Sequence, residues 1–373
     1  MMSNFIHLQT KSHYSISCGL PKTTEIVDKA VESGMPAVTL TDKNTFFGLV
    51  KFYNYALIKG IKPICGVDFD IKVNNGYSNL ILLAKNKKGL EKLFKLSTES
   101  FVKSGSEKRS IPEQDILNNA DDIVCIIPSS SPNLRNLALK KEDLLIDQHY
   151  KKYLEAFAEN LFVGVSNFSK DGYDSASALA CNIAKKNNIK AVAINDVLFL
   201  EKEDHLAHQA KVAINNATLL KDEIDNPNVS SEQYFKTEEE LAKFHELEPL
   251  KNTFEVAKLC NVFLEEGQYY LPSYEVQENK SLSEHLEDLS RDKLKDFLNE
   301  NKELDKDLYQ ERLEKELKII TEKGYPGYFL IVMDFVKWAK DQEIPVGPGR
   351  GSGAGSLVAY MLSITCLLYT SPS

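Results

Sequence analysis

Glycine occupies every second position of a short segment near the end of the sequence. Residues 347–356 read GPGRGSGAGS, after Ile344-Pro345-Val346 and before an apolar helical run at 357–362. Glycine lets a backbone adopt positive φ and approach a ligand closely, and a following helix would offer free N–H groups and partial positive charge to phosphate. Arg350 adds a cationic fork and two serines add hydroxyl donors. The segment predicts a nucleotide-phosphate site at Gly349, Arg350, Gly351, Ser352, Gly353 and Ser356.

The alternative interpretation of this segment is a flexible linker. It is not a Walker A loop, because no Gly-Lys-Ser/Thr sequence closes it. The phosphate interpretation is favoured because the segment lies between a β-type stretch and a helix. It also contains one of only five arginines among 45 basic residues.

Composition excludes several classes of protein. The 373 residues carry 45 basic and 54 acidic side chains, a formal charge of −9, which argues against a surface that binds nucleic acid everywhere but not against one basic groove. The hydrophobic fraction of 43% excludes a mostly disordered chain. Six scattered cysteines without a C-x-x-C pair argue against structural zinc and suggest free thiols in a reducing cytoplasm. No apolar run is long enough to predict a membrane-spanning helix, and the N-terminus has no signal-peptide pattern.

Strand and helix patterns alternate up to about residue 215, which is typical of a mostly parallel sheet, open or closed into a barrel. Strands are predicted at 5–8, 36–41, 64–73, 80–83, 123–127, 161–165 and 191–194. Parallel barrels place their chemistry at the C-terminal ends of the strands. From 281 to 323 the sequence is helical and strongly charged, and these charges indicate mainly solvated faces. The pattern change predicts a domain boundary near residue 270.

Residues 324–332 and 346–360 resemble the start of the palm domain of the C family of bacterial replicative DNA polymerases. Segments at 7–8, 14–15, 34–37, 41–42, 47–53, 60–64 and 195–197 resemble the polymerase-and-histidinol-phosphatase (PHP) domain of that family. The resemblance implies an α/β fold, with a seven-stranded β/α barrel at 1–270. It implies a connector and the mostly helical start of a nucleotidyltransferase palm at 271–365.

The resemblance also implies an activity: template-directed addition of deoxynucleotides to a primer 3′ end, with the glycine-rich loop contacting the triphosphate. The implied cofactor is Mg²⁺, held by an Asp-x-Asp pair and a further Asp. No such pair follows Ser356, so no bound Mg²⁺ and no polymerase activity are expected from this chain alone. The implied partners are primer–template DNA, deoxynucleoside triphosphates, a proofreading exonuclease subunit, a sliding clamp and other replicase subunits, in the cytoplasm and without a membrane.

Metal-binding PHP domains carry seven ligands, and the resemblance implies where these would lie in this chain. The seven positions are Gln9, Lys11, Asp42, Lys43, Asp68, Asp196 and Leu198. Four of them have lost ligand character and two of those are cationic, so a degenerate, metal-free site is expected, in a domain that is structural or docks the exonuclease. Lys11 or Lys43 is expected to pair with the three aspartates in place of metal charge. The alternatives are side chains that face solvent, and a PHP-type metal-dependent phosphoesterase.

Two further expectations concern weaker signals. His205 and His208 have a spacing that permits a shared ligand, but a solvated helix face is favoured. Residues 366–373 resemble a translated sequencing adapter and are expected to be a non-native tail after residue 365 of a truncated gene. Because the palm piece would lack its central sheet, its helices at 281–373 are expected to pack loosely.

Overall fold

The computed structural model divides into two compact units, Met1–Leu264 and Glu265–Ser373. It describes residues 3, 5–16, 18–73, 76–103, 108–140, 143–166, 173–225, 227, 229–268, 270, 272–276 and 280–369, without the side chains of 137–140, 143–149 and 173–174. Residues 370–373 of the expected tail lie outside the described residues. The first unit ends at Leu264, six residues before the boundary near residue 270 that the sequence predicts.

The first unit is built on a sheet of seven strands, in the order β1-β2-β3-β5-β6-β7 with β4 beside β2. The strands are β1 Ala37–Leu40, β2 Lys62–Val73, β3 Gly76–Ala84, β4 Ile111–Pro112, β5 Ile123–Pro128, β6 Leu161–Val165 and β7 Lys190–Ala193. All neighbouring pairs are parallel except those of β3, which runs antiparallel to β2 and β5. The expected mixed α/β fold with a mostly parallel sheet is confirmed.

The predicted strand at 5–8 is buried but forms no regular ladder. Pairing is confined to residues 9–11: Thr41 N–H donates to the Thr10 carbonyl at 2.9 Å, and Lys11 N–H donates to Val197 at 3.0 Å. Because Thr41 follows β1 and Val197 follows β7, this segment links the two ends of the curled sheet. Its side chains alternate between two buried clusters, with Phe5 in one and Ile6 and Leu8 in the other.

Both faces of the sheet are apolar, as expected for parallel strands covered on each side. One face packs beneath the surrounding helices, and the other forms the interior of the curl with Val256 and Ala257 of helix α11 and Cys260 just after it. The helices are α1 Thr23–Glu32, α2 Leu49–Ile58, α3 Lys87–Lys103, α4 Glu113–Leu117, α5 Pro132–Lys140, α6 Asp143–Phe157, α7 Tyr173–Asn187, α8 His205–Asn216, α9 Leu220–Asp225, α10 Glu238–Leu241 and α11 Leu247–Leu259. No described helix is long and apolar enough to span a membrane.

The described residues of the second unit form four α-helices: α12 Leu282–Glu300, α13 Lys306–Glu322, α14 Pro326–Asp341 and α15 Leu357–Met361. Ser281 and Glu284 form a capping box at the start of α12, and Asp305 caps α13. The expectation of loose packing was wrong, because these helices share a buried core. Its members are Leu286, Leu294, Leu298, Leu313, Leu317, Ile320, Leu330, Leu357, Val358, Met361 and Leu362.

Candidate functional sites

A cluster of lysines and aspartates lies where the middle of β2 meets the segments that follow β1 and β7. We call Lys11, Lys43, Asp68, Asp70 and Asp196 the lysine–aspartate cluster. Lys43 follows β1, Asp68 and Asp70 lie on β2, and Asp196 follows β7. Lys11 reaches them because the Thr10 bridge places it beside Val197. The curl of the sheet therefore brings together residues that are up to 185 positions apart.

Asp68 is the centre of this cluster. Its carboxylate lies 2.9 Å from Lys43 Nζ and 3.0 Å from Lys11 Nζ, and it accepts amide hydrogen bonds from Gln9 and Asn79 at 3.0 Å each. Lys11 also contacts the Asp196 carboxylate, and Lys43 Nζ lies 3.1 Å from Asp70. Lys11 is 3% exposed and Asp68 1% exposed, so the charges neutralise one another within the protein.

The pKa shifts follow from this arrangement. Burial alone would raise the pKa of Asp68, but the nearby Lys43 and Lys11 ammonium groups outweigh it and hold that pKa below its ordinary value. Burial would lower the pKa of Lys11, yet Asp196 and Asp68 raise it above the ordinary value. Both groups are therefore charged across the neutral range.

Asp42 differs from the expectation, because no lysine of the described residues forms an ion pair with it. Its carboxylate accepts hydrogen bonds from the Ser12 N–H at 2.7 Å, the Ser12 hydroxyl at 2.8 Å and the Ser15 hydroxyl at 2.6 Å. Burial is the largest influence on its pKa and raises it, although these hydrogen bonds oppose the shift. Asp42 thus fastens the 12–15 turn to the end of β1.

The residues present do not fit a metal ion. Both oxygens of Asp68 face ammonium groups, which have no lone pair to offer a cation. Leu198, at the last ligand position, is a buried apolar side chain. Among the described residues, no three His, Cys, Asp or Glu side chains are grouped so that they could hold a metal. The absence of bound metal in the protein itself stays a prediction.

That prediction can be tested by metal analysis and metal removal. We expect purified protein to contain far less than one equivalent of zinc or manganese, and EDTA to leave Tm unchanged, because only a ligand bound to the native state stabilises it. Elemental analysis and thermal unfolding with and without EDTA are the measurements. One equivalent of either metal, or a Tm lowered by EDTA, would contradict the prediction.

The side chains of His205 and His208 contact different backbone carbonyls. The His205 Nε2 lies 3.0 Å from the Val229 carbonyl and the His208 Nε2 lies 2.6 Å from the Cys18 carbonyl. His208 is fully buried, so the expectation of a solvated helix face was wrong for it. Both side chains tie α8 to neighbouring loops.

The glycine-rich loop forms the second candidate site. Residues 344–350 form no strand, and Gly351–Gly355 form a short 3₁₀-helix before α15. Gly349 has φ +108°, and a Cβ there would lie 2.9 Å from Thr365 Cγ2. At Gly353, in contrast, a Cβ would meet nothing within 4 Å. The chain therefore needs glycine at 349 for its own conformation, whereas the space above Gly353 is open.

The predicted phosphate-binding side chains fall into two groups. Arg350 and Ser352 are exposed, and the Arg350 guanidinium has no partner among the described residues. Ser356 is engaged: its hydroxyl donates to Glu316 Oε2 at 2.8 Å. The N–H groups of Leu357 and Val358 donate to the same carboxylate at 3.0 and 3.1 Å. The expectation that α15 begins with free N–H groups was wrong, because Glu316 of α13 fills that position.

Comparison with known proteins gives two family matches. Residues 7–167 match the PHP domain, and residues 284–368 match the bacterial DNA polymerase III alpha NTPase domain. An amidohydrolase structure from Chromobacterium violaceum, with bound sulfate and no metal, is similar over 52% of this chain and 87% of its own, at 13% identity and a TM-score of 0.36. A likeness this low carries no argument about function.

Curated relatives extend these matches over nearly the whole chain. The DNA polymerase III subunit alpha of Buchnera aphidicola subsp. Schizaphis graminum is 38% identical over 98% of this chain. Those of Pseudomonas aeruginosa and Escherichia coli K12 are each 36% identical, over 98% and 97%. The chain spans 32% of the length of each of these relatives. With a PHP domain followed by the alpha NTPase domain, the chain belongs to the family of bacterial DNA polymerase III alpha subunits.

Proposed function

We propose that this chain supplies the PHP domain and part of the nucleotide site of a replicative DNA polymerase, which adds deoxynucleotides to a primer 3′ end along a DNA template. The observation that carries the proposal is the glycine-rich loop, which has open space above Gly353 and an Arg350 guanidinium without a partner in the part of the chain that the structure describes. The names of the relatives support the same activity.

The loop has the chemistry to hold a triphosphate. Arg350 would pair with phosphate oxygens in a bidentate manner, and the Ser352 hydroxyl would donate to another. Without a Cβ at Gly353, phosphate oxygens could come within hydrogen-bond distance of the backbone. Mg²⁺ would neutralise the triphosphate and align it with the primer hydroxyl. The chain has no Asp-x-Asp pair after the loop, so we propose that it contributes nucleotide binding rather than the catalytic carboxylates.

Substitution of Gly353 tests this proposal. The Gly353→Ala variant should keep the Tm of the wild type, because the new methyl group meets no protein atom within 4 Å. Affinity for dATP with Mg²⁺ should fall about tenfold or more, since a loss of roughly 1.4 kcal/mol in phosphate contacts corresponds to tenfold. Isothermal titration of the 373-residue chain measures that affinity, and primer extension by the same chain should remain absent.

Gly347→Ala is the matched control. Gly347 also has open space around it but lies outside the predicted phosphate-binding residues, so dATP affinity should stay within about twofold. Unchanged affinity in Gly353→Ala, with wild-type Tm, would refute the phosphate role of the loop.

For the PHP domain we propose a metal-free role, as a scaffold that docks a proofreading exonuclease subunit. Lysines at ligand positions remove hydrolytic chemistry, while their ion pairs with Asp68 balance the buried charge that a metal would otherwise neutralise. This assignment is favoured over a metal-dependent phosphoesterase. Primer–template DNA, a sliding clamp and other replicase subunits are the further partners that we propose, and the cytoplasm is the proposed location.

A further inference from the structure

Glu316 links helix α13, the end of the glycine-rich loop and the start of helix α15. It lies on α13, forty positions before Ser356 in the sequence. Its two carboxylate oxygens together accept hydrogen bonds from the Ser356 hydroxyl and from the N–H groups of Leu357 and Val358, all between 2.8 and 3.1 Å. Ser356 in turn accepts from the Ala359 N–H at 3.1 Å. The first turn of α15 is therefore satisfied by groups of the protein itself.

Arg312 completes this arrangement from one turn earlier on α13. Its Nε donates to Glu316 Oε1 at 3.1 Å, and its guanidinium also donates to the Gly355 carbonyl. The pair thus holds both a carbonyl of the glycine-rich loop and the N–H groups that follow the loop. A carboxylate at a helix N-terminus is favourable by charge and by capping. No other acidic side chain of the described residues accepts a hydrogen bond from residues 355–358.

We propose that Glu316 is a positioning residue for the glycine-rich loop, acting together with Arg312. In this arrangement an internal carboxylate fills the anion position at the start of α15. The nucleotide phosphates then contact residues 349–353, and neither Ser356 nor the N–H groups of α15. This inference rests on the proposed function for its nucleotide step, but not for the positioning of the loop.

The opposite possibility is that Glu316 is displaced when phosphate arrives. The carboxylate would then block the site in the free protein, and Leu357 and Val358 would donate to the ligand after displacement. The two possibilities differ in which amide groups respond to nucleotide, so the position of each N–H in an NMR spectrum separates them.

The experiment uses the full 373-residue chain, labelled with ¹⁵N at glycine, leucine and valine. Spectra of the wild type and Glu316→Gln are compared first without nucleotide. We expect the amide signals of Gly351, Gly353, Leu357 and Val358 to move in the variant. Amide exchange at Leu357 and Val358 should become about fivefold faster or more, as for loss of a helix cap. Glu322→Gln, an exposed carboxylate on the same helix, is the control and should leave these signals in place.

Titration of the wild type with dATP and Mg²⁺ follows. We expect the Gly351 and Gly353 signals to shift while those of Leu357 and Val358 stay. Shifts at Leu357 and Val358 would overturn the inference and leave the proposed phosphate role of the loop intact. If no loop signal responds to nucleotide, the proposed function fails, and the comparison without nucleotide still decides whether Glu316 positions the loop. Loop signals unchanged in Glu316→Gln would overturn that role.

Discussion

Replacement of Lys11 by methionine should lower the free energy of unfolding by about 3–5 kcal/mol, the usual cost of removing one partner from a buried ion pair. Lys11 is 3% exposed and contacts both Asp68 and Asp196. Methionine fills a similar volume but leaves these carboxylates without one of their counter-charges. Urea unfolding followed by circular dichroism measures the change.

Two further variants make this result specific. Lys22→Met removes an exposed pair with Glu25, so its effect should stay within about 0.5 kcal/mol. The double variant Lys11→Met with Asp68→Asn should cost less than the sum of the two single variants, because each removes a charge that the other leaves unpaired. A Lys11→Met variant as stable as Lys22→Met would contradict the buried ion-pair account.

The contacts within the lysine–aspartate cluster could be predicted from the sequence only in part. Lysines at ligand positions, among aspartates that follow strands, indicated that charge would be balanced without a metal. The serine partners of Asp42 and the amide of Asn79 were not anticipated. Their contacts depend on the turn at 12–15 and on the register that sets Asp70 opposite Asn79, and neither is encoded in residue type alone.

The antiparallel direction of β3 has a signal in the sequence. The sequence Asn74-Asn75-Gly76 lies between two strand-forming runs, which is typical of a hairpin. A hairpin requires the antiparallel pairing that β2 and β3 have. The sheet is therefore mostly parallel, as expected, and β3 is the strand whose antiparallel direction this hairpin signal explains.

The contacts of Glu316 could not be predicted from the sequence, for a different reason. It lies in a strongly charged helix, where most carboxylates face water, and no local pattern separates it from its neighbours. Its contacts bridge forty residues and depend on the packing of α13 against α15. A general preference for phosphate at helix N-termini therefore did not point to the carboxylate that accepts these hydrogen bonds.

The core of the second unit carries the other large expected effect. Leu357→Ala should lower the free energy of unfolding of this unit by about 2–5 kcal/mol, the range for truncation of a buried leucine. Leu357 is fully buried in the core that α12, α13, α14 and α15 share, so its side chain leaves a cavity that the neighbouring leucines can only partly fill. Loose packing would instead predict a small cost, since a mobile core closes over a missing side chain.

Trp338 on α14 is the only tryptophan of the chain, so its fluorescence during urea unfolding reports on this unit. Leu308→Ala is the matched control: it makes the same chemical change on α13 at a side chain that is 60% exposed, and should cost less than about 0.5 kcal/mol. Equal effects of the two substitutions would mean that the helices share no close-packed core. A large difference between them would locate the stability of residues 280–369 in that core, on which the fixed position of Glu316 against α15 depends.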